Sequence, residues 1–124
     1  MSDDRLSDYL GHMLEAARQA CSYVDGSSRA DFLADKRTQQ AVILNIVIIG
    51  EAATKLLADH AEFLRRHPRV PWRNMKGMRN RIAHGYFDID LDIVWDTTQK
   101  ALPDLLENLP DVLRDAAERG SWKP

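Results

Sequence analysis

One cysteine, Cys21, stands in a chain of 124 residues, so no disulfide can form within it, which agrees with a reducing compartment. Five prolines and six glycines are too few for a linker-rich or disordered polypeptide. No apolar run reaches the ~20 residues of a spanning helix. The longest, Ala41 to Gly50, is broken by Asn45, and on that ground a transmembrane segment is excluded. The opening Met1-Ser2-Asp3-Asp4 is acidic where a secretory signal is basic. These absences describe a cytoplasmic globular protein, a single domain over 1–124 with a frayed tail from about residue 119.

Carboxylates are missing from one stretch in particular. From Arg65 to Gly85 there are seven cations and no Asp or Glu, whereas the rest of the chain holds ten cations against nineteen carboxylates. The formal charge of −2 therefore conceals a +7 block and a −9 remainder. Screening confines each charge to about 10 Å, so such a block attracts polyanions even in a mildly acidic protein.

Apolar spacing of three and four predicts helices and no strand alternation predicts a sheet. Leu10, Met13, Leu14, Ala17, Cys21 and Val24 give a first helical stripe; Ser28 and Asp31 form a capping box; Asp35 caps a long helix from Lys36 to about Ala58. The β-branched run Val42 to Ile49 inside it has helix-compatible flanks, and a helix apolar nearly all round belongs at a bundle centre or in a dimer interface. A short helix from Ala61 stops before Pro68, and Pro71 opens another that runs up to Gly85, read as the residue just past its C-terminus. Asp88 or Asp90 caps a last long helix with Leu91, Val94, Trp95, Thr98, Leu102, Leu105, Leu106 and Leu109 on one face, kinked by Pro103, with Pro110 starting a short tail. The fold class is all-α, a bundle of four to five helices.

Inside the basic block stands Met78-Arg79-Asn80-Arg81-Ile82-Ala83-His84-Gly85-Tyr86-Phe87. Arg79 and His84 are five residues apart, about 140° around a helix, a gap that the helix end and the length of the arginine are expected to close. Asn80 lies one turn before His84, within reach of it or of a phosphate. An imidazole that moves the 2′-hydroxyl proton and a guanidinium that clamps the phosphate suit metal-independent cleavage of RNA, with no cofactor. One histidine per chain serves poorly as both base and acid, and a two-fold dimer brings two sets to one groove. Arg73, Lys76, Arg79 and Arg81 are the candidate RNA-binding cations. Glu51, beside Gly50 in an apolar helix, needs a polar partner such as Arg79 or Arg81, and Asn45 is read as an interhelical contact.

Other patterns carry less. His12, His60 and His67 have no zinc-like spacing. Asp88-x-Asp90-x-Asp92 departs from a calcium loop, with Ile93 at the sixth position and Gln99 at the twelfth, and reads as a capping cluster. Trp72 and Trp95 sit on apolar faces and read as packing.

Arg79-Asn80-x-x-x-His84-x-Tyr86 resembles the Arg-x4-His-x-Tyr signature of HepT-like toxins of the HEPN superfamily. Ile48-Ile49-Gly50-Glu51-Ala52-Ala53, Pro71-Trp72-Arg73 and Leu102-Pro103-Asp104-Leu105-Leu106 resemble the family's flanking segments, so the likeness spans roughly Ser7 to Leu109. It implies a HEPN-like dimer with both Arg79/His84 pairs lining a basic cleft, supported by Asn80, Glu51 and Arg81, and a prokaryotic ribonuclease toxin. It also implies a partner, a minimal nucleotidyltransferase antitoxin that silences the toxin by AMPylation of Tyr86. The alternatives are a non-catalytic nucleotide- or RNA-binding module that partners the transferase, and a purely structural helical dimer.

Overall fold

The computed structural model describes residues 3–121. In chain order its helices are α1 (Asp3–Val24), α2 (Arg29–Leu33), α3 (Lys36–Asp59), α4 (Ala61–Arg65), α5 (Trp72–His84), α6 (Leu91–Asp96) and α7 (Leu102–Ser121). A 3-10 turn (Tyr86–Asp88) follows α5, a π-turn (Thr97–Ala101) joins α6 to α7, and no strand occurs among the described residues. Four rods make the all-α bundle: α1, α3, α5 and the continuous α6–π–α7 unit. Trp122, Lys123 and Pro124 lie outside the described residues, so of the frayed tail only its first residues can be placed, and α7 is helical through Ser121.

Helix α3 is the centre, packed on α1 and on α5, while α1 also packs along α7. Its β-branched run folds as helix because Val42, Ile43, Ile46 and Ile49 recur at helical spacing and are all buried. By length and composition alone this 24-residue helix could cross a membrane, which the broken apolar run did not convey; half of its most apolar window is buried inside the bundle. Apolar nearly all round, it is not buried all round: Leu44 is 60% and Ile48 37% exposed. Asn45 is buried and satisfied within its own helix, donating to the Ala41 carbonyl at 2.9 Å, where an interhelical partner was expected.

Both predicted caps form. Ser28 and Asp31 make the reciprocal capping box of α2. Asp35 caps α3, accepting from the Thr38 hydroxyl at 2.7 Å and the Thr38 amide at 3.2 Å. Those hydrogen bonds hold the Asp35 carboxyl below its usual range. A carboxyl depressed in the folded state stabilises above its unfolded value and loses that contribution as pH falls through the folded one. Asp35→Ala is therefore expected to melt below the parent at pH 7, with the gap narrowing below about pH 4; a gap that is constant across thermal melts at pH 7 and pH 3 would contradict this.

The last rod is irregular at Pro103, where a kink was expected, and departs from expectation at Pro110. The Leu102 amide bonds the Thr97 carbonyl, five residues back, so the rod widens into a π-turn immediately before Pro103, which has no N–H to give to an α-helical ladder. Pro110 does not begin a tail but sits inside α7. Leu102, Leu105, Leu109, Val112 and Ala116 form one buried stripe across it, and that packing outweighs the lost backbone bond. Asp90, rather than Asp88, caps α6, accepting from the Asp92 and Ile93 amides.

Candidate functional site

Helix α5 carries the acid-free block. Of its cations and those just before it, Arg66 pairs with Asp115 at 3.4 Å and Arg79 with Glu51 at 3.3 Å. Arg65, Arg69, Arg73, Lys76 and Arg81 make no ion pair among the described residues. Arg73 and Arg81 are exposed and Lys76 half-buried. Five uncompensated cations within this short stretch give a strongly positive local field.

Arg79 is held where α5 crosses α3. The crossing is close because Gly50 has no side chain: a Cβ there would lie 2.3 Å from the Arg79 Cβ and 2.8 Å from the Met75 carbonyl oxygen. The arginine stem passes over the glycine, and its head meets two α3 side chains. Its Nη2 donates to the Thr54 hydroxyl at 3.2 Å, and its Nε lies 3.3 Å from Glu51 Oε2, close enough for an ion pair but not aligned as a hydrogen bond. Arg79, not Arg81, is thus the partner of Glu51. Arg81 is exposed and borders a separate cavity of about 170 Å³, whose lining includes Met78, Ile82, Asp88, Asp90 and Val94.

His84 is exposed in the last turn of α5. Arg79 bonds to α3, and no hydrogen bond joins it to His84 among the described residues. The reason is that α5 is regular through His84, which keeps the two side chains on different faces of the helix. Gly85 ends the helix at φ −141°, ψ 47°, not in the left-handed region, and a Cβ there would meet only the Arg81 carbonyl at 3.5 Å. Asn80 is half-buried one turn before His84. Tyr86 opens the 3-10 turn and is 49% exposed; Phe87 beside it is 99% exposed. Among the described residues no three His, Cys, Asp or Glu side chains are placed to hold a metal ion.

Residues 13–112, most of the chain and all of α5, match the family described as ribonuclease HepT-like. The chain belongs to that family. Among similar proteins is a probable ribonuclease HepT of Thermococcus cleftensis, 40% identical over 98 residues that cover 79% of this chain and 86% of that one. A Methanocaldococcus jannaschii protein named as a candidate RNase is 32% identical over 107 residues, 86% of each chain. Another, from Caldanaerobacter subterraneus subsp. tengcongensis, is 34% identical over 106 residues, covering 86% of this chain and 92% of that one. No solved structure gives a significant match.

In this HepT-like ribonuclease two arrangements had no signal in the residue pattern. Thr54 stands 25 residues from Arg79 and looks like an ordinary helix residue, yet its hydroxyl meets the guanidinium. His67 Nε2 lies 2.7 Å from Asp115 Oδ2, and Trp72 Nε1 donates to the His67 carbonyl at 3.1 Å, so the connector leading into α5 is tied to α7. Trp72 and Trp95 are both buried, in agreement with a packing role.

Proposed function

We propose that this chain is the toxin of a prokaryotic, cytoplasmic toxin–antitoxin pair: a dimeric endoribonuclease that uses Arg79 and His84 and no metal ion. The observation that carries the reading is a guanidinium fixed by α3 and an exposed imidazole on the same helix, inside a stretch whose other cations are largely unpaired. His84 takes the proton of the RNA 2′-hydroxyl as its oxygen attacks the adjacent phosphorus. Arg79, with Asn80 beside it, stabilises the charge that builds on the phosphoryl oxygens, and the 5′-oxygen leaves with a proton from a second acid. The products are a 2′,3′-cyclic phosphate and a 5′-hydroxyl. A second copy supplies the second histidine, and Leu44, Ile48 and Phe87 are among the exposed apolar side chains available for that association. Arg73, Lys76 and Arg81 hold the RNA backbone.

Tyr86, accessible and two residues past His84, is the site at which a minimal nucleotidyltransferase adds AMP. The added phosphate would place negative charge in the cleft and repel RNA. One observation favours the competing reading, a non-catalytic module that binds the transferase and nucleotide: Arg79 is engaged by Thr54 and makes no hydrogen bond to His84 among the described residues.

Purified protein is expected to cleave RNA in EDTA, to leave 2′,3′-cyclic phosphate ends, and to lose cleavage on AMPylation but not when Tyr86→Phe is treated with the same transferase. Cleavage should fall steeply as salt rises, despite the acidic pI, because the cleft acts through phosphate contacts. Tight complex formation with the transferase and no cleavage under any condition would decide for the binding module.

A further inference from the structure

We propose that Thr54 is a positioning residue for Arg79, an inference that rests on the reading of Arg79 as the phosphate clamp. The Thr54 hydroxyl donates to the Gly50 carbonyl at 2.8 Å and accepts from Arg79 Nη2 at 3.2 Å. A hydroxyl has one proton to give and lone pairs to offer. With the proton committed to a backbone carbonyl one turn earlier, a lone pair faces the guanidinium. Gly50 has two parts in this: its missing side chain lets the Arg79 stem approach, and its carbonyl orients the hydroxyl that catches the arginine head.

The chemistry of the acceptor matters as much as its place. Glu51 also stands beside Arg79, but it is 53% exposed and its carboxylate is not aligned as an acceptor. A carboxylate in full bidentate contact would occupy the N–H fork that a phosphate needs and offset the charge it responds to. A neutral hydroxyl fixes one edge of the guanidinium and leaves its charge intact. Nε is buried on the Glu51 side, and the terminal N–H groups not given to Thr54 are left for the phosphoryl oxygens, already oriented; orientation set in advance acts on the chemical step more than on binding.

The test is single-site kinetics on the full chain with RNA of defined sequence. Thr54→Val keeps the shape and removes the hydroxyl; kcat is expected to fall about tenfold, the worth of one hydrogen bond to a charged group, with KM changed less than about twofold. Thr54→Ser restores the hydroxyl and is expected to return kcat to the parent's range. Thr54→Asp keeps an acceptor but engages the arginine fork, and its kcat is expected below that of Thr54→Val. Thermal melts accompany each variant, and Thr54→Ala gives the same comparison if the valine disturbs the helix. Parental kcat in Thr54→Val and Thr54→Ala, with Arg79→Ala inactive, would overturn the proposal, as would failure of the serine to restore the rate. Parental activity in Arg79→Ala would remove the clamp reading and the proposal with it, and so identifies which of the two has failed.

Discussion

Replacing His84 by alanine is expected to lower RNA cleavage by roughly 100- to 10,000-fold, the span for loss of a general acid–base group. Arg79→Ala is expected to cost roughly 100- to 1,000-fold, as removal of a preorganised donor from a developing charge does. The double variant should be little worse than the more damaged single one, because groups that act on one transition state are not independent. The two singles differ in folding. His84 is exposed and its loss leaves the bundle intact, whereas Arg79 is only 23% exposed and bridges two helices, so its removal should also lower the melting temperature. Single-turnover cleavage with circular dichroism melts separates the effects. A parental rate in either single variant would show that the reaction runs elsewhere.

The largest stability effect is expected at Gly50. A side chain there meets the Arg79 Cβ and, worse, the Met75 carbonyl oxygen, a backbone atom that cannot swing aside. Gly50→Val should push α5 off α3 at a cost of about 3 kcal/mol and a fall in melting temperature of about 10 °C. RNA cleavage should fail with it, because Arg79 leaves Thr54 and Glu51 together. Gly77 is the internal comparison. It also lies in a helix interior, in α5, but a Cβ there meets nothing within 4 Å. Gly77→Ala should therefore stabilise the protein by up to about 1 kcal/mol through helix propensity alone. Melting temperatures that move the same way in both variants would refute the close-approach account.

What was legible in the residues follows from the range of the forces concerned. Periodicity and capping are local, and they placed α1, the capping box at Ser28 and Asp31, the Asp35 cap and the buried stripe of the last rod. A partner for Glu51 was legible in part: a carboxylate in an apolar helix calls for a polar contact such as Arg79 or Arg81, and Arg79 supplies it. The misread points all depended on competition between local preference and packing. Pro110 reads as a helix start until the stripe through Leu109, Val112 and Ala116 holds α7 together across it. Gly85, read as the residue just past α5, is its C-cap. Asn45 finds its acceptor one turn back rather than across an interface. Thr54 was invisible because a threonine in a helix says nothing about which side chain will cross above it.

The packing of α1 along α7 has a consequence in time. Helices α3 and α5 are near in sequence and can pair as soon as both have been made. The face of α1 that carries Leu6, Leu10 and Met13 belongs to the same buried cluster as Val112 and Ala116, about 100 to 110 residues later. At about 5–20 residues per second, the ribosome needs several seconds to deliver that cover after α1 has emerged. Through that interval a nascent chain lacks the α7 side of the α1 cluster, and the helix bearing Arg79 and His84 exists before the bundle that contains it has closed.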